Sequence, residues 1–159
     1  MKYLRKKDDV CYQLGSMQAR AFEKSSNERI PSYFFIQQFM FSKEAKMMDD
    51  LSFLQSGLSE LEIYINIKKQ TKRKKGNVYS PEIMHWIGFF YRYASYLTGI
   101  NSKILFKKIT PNQLCDLYPL YHGLDIQKAI DMVFSNIDLG NEKPMDRFIN
   151  LYKDKMISL

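Results

Sequence analysis

The stretch from Ser80 to Gly99, SPEIMHWIGFFYRYASYLTG, constrains the fold more than any other part of the chain. It opens with a capping hydroxyl, a proline at the first helical position and a carboxylate in the first turn. It closes on glycine, the residue that most readily takes the left-handed conformation that ends a helix. Between these marks Ile83, Trp86, Ile87, Phe90, Tyr91, Ala94 and Leu97 recur at helical spacing. A helix with so wide an apolar face must be covered by other elements, so this stretch predicts the centre of a helical domain. The same spacing puts His85, Arg92 and Ser95 elsewhere on the circumference.

The flanking sequence supplies the cover. Asp8 or Asp9 predicts the cap of a helix running to about Lys24, with Val10, Leu14, Met17 and Ala21 on one face. Pro31 and Ser32 open a second helix that is apolar nearly all round, from Tyr33 to Phe41. Ser42 caps a short third one, with Glu44 and Lys46 expected outward and Ala45 and Met48 inward. The Met- and Phe-rich run from Phe39 to Phe53 reads as a soft core. Downstream, Ser102 is the expected cap of one helix and Thr110-Pro111 opens the next. Asp125 caps a further helix through Phe134, and Pro144 opens the last. No internal repeat or low-complexity linker divides the chain, so residues 1–159 read as a single domain.

One segment changes period. Ile63, Ile65 and Ile67 alternate with Glu62, Tyr64, Asn66 and Lys68, which is strand spacing, and residues 76–79 offer a returning partner. Ser59 with Glu62 carries the opposite signal, a capping box that would start a helix. Three alternating β-branched residues, followed by Gly-Asn after the charges, favour the strand. The expected fold is therefore mainly α, a single compact helical domain with one β-hairpin insertion at about 61–79.

Charge is concentrated at the tip of that hairpin. The net charge is +7, and Lys68, Lys69, Lys72, Arg73, Lys74 and Lys75 account for nearly all of it. These six are the candidate partner-binding residues, together with Tyr93 and Tyr96, taken as the exposed rim of a tyrosine-rich region. The chain has two histidines and no metalloprotease, nucleophile-elbow, phosphate-loop or dinucleotide pattern. His85 reads as a packing or surface residue, and His122 as a cap at a helix end. Cys115 has no electropositive neighbour to make it a thiolate. The expectation is a non-enzyme with no catalytic residue, no cofactor and no metal. Cys11 and Cys115 make neither a disulfide framework nor a metal pattern and read as reduced thiols. With no apolar run that would span a bilayer and no signal-peptide core, a cytoplasmic protein without a membrane partner is expected. The helices at Ser102 and Pro111 lie as close as in a helix-turn-helix, but the second, PNQLCDLYPLYH, has no Lys or Arg to read DNA.

The residues Tyr79-Ser80, Trp86-Ile87-Gly88, Tyr91-Arg92-Tyr93, Gly99 with Ser102, and Tyr121, His122, Leu124 and Asp125 resemble a pattern in small mobile-element proteins of low-GC bacteria. Upstream, SYFFIQQFMFSKEAKMMDDL resembles a helix of the same group. The likeness covers about two-thirds of the chain. Such proteins resemble antitoxins, encoded beside toxins such as ADP-ribosyltransferase-like ones and acting by binding them. The chain departs from the pattern in its basic hairpin. In size, charge and lack of chemistry it is also similar to phage anti-CRISPR proteins that inhibit the type II RNA-guided nuclease. On these resemblances the leading expectation is a protein inhibitor that binds that nuclease and blocks DNA cleavage, with possible contact to the nucleic acid it holds. An antitoxin that binds a toxin is the alternative, and a DNA-binding regulator the third reading.

Overall fold

The structure, a computed structural model, describes residues 9–71 and 75–136. Its axis is the crossing of α1 (Asp9–Asn27) with α5 (Pro81–Thr98), the most extensive contact between any two elements. Gly88 lets the two helices meet. A Cβ at that position would lie 2.9 Å from the Gln18 carbonyl oxygen and 3.0 Å from Ala19 Cα, so backbone occupies the space of a side chain. The helix α5 has the ends its sequence predicts: Ser80 Oγ accepts from the Ile83 amide, Pro81 opens the first turn, and Gly99 closes it at φ 76°.

Around this pair lie α2 (Ser32–Met40), α3 (Lys43–Asp49), a 3-10 turn at Ser52–Gln55, α4 (Glu60–Thr71), α6 (Ser102–Lys108), α7 (Pro111–Tyr121) and α8 (Ile126–Asn136). The helix α5 touches α3, α6, α7 and α8, while α2 bridges α1 to α4 and α6. Their apolar faces meet in one core. Phe22 of α1 sits edge-to-face against Phe35 and Phe39 of α2, at 5.8 and 5.2 Å between centroids. Trp86, Ile87, Phe90, Tyr91, Ala94 and Leu97 are buried as their spacing requires. Thr110 and Gln113 complete a reciprocal capping box at the start of α7, and Asp125 accepts from the Gln127 amide at the start of α8.

The expected β-hairpin is not there. Residues 60–71 form a helix, and no strand occurs among the described residues. The capping box wins: the Glu62 amide donates to Ser59 Oγ at 3.1 Å, and the Ser59 amide to Glu62 Oε1 at 3.4 Å. Ile63 and Ile67, which looked like strand alternation, are four residues apart and share the buried face with Tyr64 and Thr71. Ile65, the middle member, is left 39% exposed. Tertiary burial of one helical face overrides the β preference of three isoleucines. Residues 76–79, read as the returning strand, instead run beside the start of α2. There the Ser32 amide donates to the Asn77 carbonyl and the Tyr79 amide to Ser32 Oγ.

Smaller expectations also shift. The helix α1 continues past Lys24 to Asn27. Glu44 points inward, buried beside Asn66, whose amide donates to it at 3.3 Å, while Lys46 is exposed as expected. Asn101 rather than Ser102 caps α6, accepting from the Ile104 amide at 2.9 Å. The helix expected from Pro144 lies outside the described residues.

Candidate interaction surface

The basic run is only partly on view. Lys72, Arg73 and Lys74 lie outside the described residues. Lys68 is engaged at home, its ammonium 2.8 Å from Glu28 Oε1, which also accepts from the Tyr64 hydroxyl at 2.6 Å. The bonds from Lys68 and then Tyr64 hold the Glu28 carboxyl below its ordinary range. Lys69 and Lys75 are exposed. Tyr93 and Tyr96, expected at the exposed rim, are 0% and 7% exposed. Tyr93 stacks on Phe89 with ring centres 4.8 Å apart. The breadth of the cover explains this: α5 is enclosed on nearly its whole circumference from Trp86 to Thr98, so no outward tyrosine face survives.

The same enclosure buries a charge. Arg92 is 1% exposed and reaches across three elements. Its Nε donates to Gln18 Oε1 at 2.9 Å, Nη1 to Asp49 Oδ1 at 2.5 Å, and Nη2 to Ser102 Oγ at 2.8 Å. Asp49 Oδ1 also accepts from the Ser95 and Ser102 hydroxyls at 3.0 and 2.6 Å, and Oδ2 from the Ser102 amide at 2.9 Å. Gln18 in turn donates to the Gly88 carbonyl at 3.1 Å. Burial lowers the Arg92 pKa and the Asp49 charge opposes that fall. A buried guanidinium is tolerated only when its donors and its charge are both met, and here they are. This network fastens α1, α3 and α6 to α5.

What α3 and α6 carry outward from that anchor is the candidate site. Phe41, the residue that ends α2, is 40% exposed. Its ring meets Phe106 edge-to-face at 5.3 Å, and Phe106 contacts the half-exposed Tyr33 at 5.6 Å. Two ammonium groups from successive turns of α6 hang over the Phe41 ring: Lys103 at 5.2 Å and Lys107 at 5.9 Å from its centre. A groove of about 640 Å³ lies to one side, lined by Phe41, Lys43, Lys46, Asp49, Asp50 and Asn101 among others. A second, of about 560 Å³, lies to the other side, with Lys43, Lys69, Asn66 and Gln70. Lys43, Lys46, Lys69, Lys103 and Lys107 are all exposed, and among the described residues none enters an ion pair.

Sequence reasoning found only Lys69 of this set. The other four lysines come from two segments sixty residues apart, and Phe41 hides inside a run that reads as core. The available signal was the i, i+4 pair Lys103 and Lys107 on a short amphipathic helix. The two histidines behave as expected. His85 Nδ1 lies 2.8 Å from Glu23 Oε1, and His122 caps α7, donating from Nδ1 to the Tyr118 carbonyl at 2.7 Å. Among the described residues no cluster of His, Cys, Asp and Glu is arranged to hold a metal, and no helix is long and apolar enough to cross a membrane. The chain matches no family model, no curated protein and no solved structure.

Proposed function

We propose that this chain is a non-enzymatic protein inhibitor that docks stoichiometrically on an acidic partner, and that the partner is a toxin, which the chain neutralises as antitoxin-like proteins do. The observation that carries docking is Phe41, a large apolar ring held at the surface with Lys103 and Lys107 over it and Lys43, Lys46 and Lys69 lining the adjoining grooves, none of the five in an ion pair among the described residues. An exposed aromatic inside a charged rim is the anatomy of an interface, and the lysines would steer and orient an acidic surface.

The fate of the hairpin orders the candidate targets. The expectation of an RNA-guided nuclease as target leaned on a basic hairpin added to the antitoxin-like pattern, and residues 60–71 are a helix instead. The antitoxin-like resemblance leans on Trp86-Ile87-Gly88, Tyr91-Arg92-Tyr93 and Gly99 with Ser102. Gly88, Arg92 and Ser102 belong to one hydrogen-bonded network, so that pattern has a structural reason to occur as a unit. The toxin reading therefore stands first and the anti-CRISPR reading second.

Co-expression with the toxin encoded in the neighbouring reading frame tests the proposal. Growth should be restored, and the two purified chains should elute together. Phe41→Ser with Lys103→Glu should abolish both effects while leaving the circular dichroism spectrum intact, with a modestly lower melting temperature from the lost contact with Phe106. If the chain leaves that toxin active but arrests DNA cleavage by a type II nuclease, the anti-CRISPR reading replaces this one. If it does neither and binds duplex DNA with a steep salt dependence, both inhibitor readings fail.

A further inference from the structure

The geometry points to the chemistry of the segment that the Phe41 face takes: an acidic stretch of polypeptide with one apolar anchor residue, rather than a nucleic-acid strand. The inference rests on the docking reading above and deepens it.

Three features separate the two kinds of partner. The first is the state of the Phe41 ring. Sequence-tolerant binding of single strands relies on bases stacking on open aromatic faces. The Phe41 ring already has Lys103 and Lys107 over it and Phe106 set against it at an interplanar angle of 86°. It offers an edge and a flank, which suit an aliphatic or aromatic side chain inserted beside it better than a stacked base.

The second feature is the sign pattern. Lysines form the rim, but the groove beside α3 also has the exposed Asp50 at its wall. A phosphodiester chain carries a charge at every nucleotide and is repelled by a carboxylate in that position. A polypeptide can place its own carboxylates at the lysines and its backbone N–H groups toward the Asp50 side. Hydrogen bonds from the Ser52 hydroxyl and amide keep the Asp50 carboxyl below the ordinary range, so it stays ionised.

The third feature is the lining. The groove beside α4 is lined by Gln38, Asn66 and Gln70 and the groove beside α3 by Asn101, side-chain amides that can each both donate to and accept from a polypeptide backbone. The larger groove falls within the range of roughly 300–1,000 Å³ that accommodates a ligand or a few side chains.

The test uses amide spectra of the full chain, labelled with nitrogen-15, and three probes. The first is a short synthetic peptide with Asp and Glu residues flanking a central Phe. The second is the same peptide with Ser in place of that Phe. The third is an oligothymidylate of similar length. The Phe peptide should move amides of residues 38–50 and 101–107 and saturate. Loss of the anchor should weaken it by about tenfold or more, the effect of burying one large apolar side chain. Lys103→Glu with Lys107→Glu, both exposed positions, should weaken the Phe peptide to a similar extent without altering the rest of the spectrum.

Equal binding of the two peptides overturns the inference, and so does tighter binding of oligothymidylate at the same amides. No change at these amides with any probe also overturns it. The outcomes for the two proposals are separable. A face that takes the acidic peptide in a chain that neutralises no toxin keeps this inference and removes the antitoxin reading. Neutralisation that survives Lys103→Glu with Lys107→Glu does the reverse.

Discussion

Asp49→Ala probes the arrangement that holds the candidate surface together. In the native protein Asp49 accepts four hydrogen bonds, one from Arg92, one from Ser95 and two from Ser102, and it neutralises a guanidinium that is 1% exposed. Truncation leaves Arg92 with Gln18 and Ser102 as partners and with no counter-charge. Breaking a buried pair in this way costs about 3–5 kcal/mol, set against a total stability of roughly 5–15 kcal/mol. At about 2–4 °C per kcal/mol for a chain of this size, the melting temperature should fall by roughly 6–20 °C.

Arg92→Met should be milder, about 1–3 kcal/mol, because the Asp49 side chain is 13% exposed and keeps three other donors. The double variant should be close to Arg92→Met alone, so the two changes are strongly non-additive. Urea denaturation followed by circular dichroism measures all three variants, with the slope checking that the transition stays two-state. An Asp49→Ala variant that is less destabilised than Arg92→Met, or a double variant equal to the sum, would refute the reasoning.

Two further outcomes follow from the packing. Gly88→Ala forces a methyl to within 2.9 Å of the Gln18 carbonyl and 3.0 Å of Phe22 Cγ, so α1 and α5 must separate. An overpacking cost of about 1–3 kcal/mol is expected, measured by the urea midpoint, and an unchanged midpoint would mean that the crossing is loose. The second is a pH dependence. Burial raises the Tyr91 and Tyr64 hydroxyls well above the ordinary tyrosine value and Tyr79 to about 12. Because the folded values are raised, the stability these groups contribute is complete below the unfolded tyrosine value of 10.0 and is lost as pH climbs through the folded values. Urea midpoints should therefore hold steady from neutral pH up to that value and then fall. The ultraviolet absorbance of tyrosinate should rise in step with unfolding, and full ionisation of a still-folded chain would contradict the burial.

The elements legible in the sequence were those whose signals are local. Ser80-Pro81 with Gly99, Thr110-Pro111, Ser42 and Asp125 mark helix ends through hydrogen bonds made within a few residues, so each can be read without knowing what packs where. The core stripe of α5 was legible for the same reason, since helical periodicity is a property of one segment. The segment at 60–71 failed because its local signals conflict. Ile63, Ile65 and Ile67 fit a strand by alternation and a helix by the four-residue step from Ile63 to Ile67. Packing against α2, together with the Ser59–Glu62 cap, decides between them.

Burial of Tyr93, Tyr96 and Arg92 was out of reach for a related reason. A helical wheel says which residues share a face, but not how many faces the rest of the molecule will cover. Only when α1, α3, α6, α7 and α8 close on α5 do its polar positions become interior, and then Arg92 must find Gln18, Asp49 and Ser102 from three separate elements. The candidate surface has the same origin. Charge density along the chain points to Lys68–Lys75, of which Lys72, Arg73 and Lys74 lie outside the described residues; among the described residues packing also brings Lys43, Lys46, Lys69, Lys103 and Lys107 to Phe41 and its two grooves. The sequence by itself determined a helical protein built around Ser80–Gly99. Tertiary structure alone decided which residues share a face, because a surface is assembled from residues that only packing brings side by side.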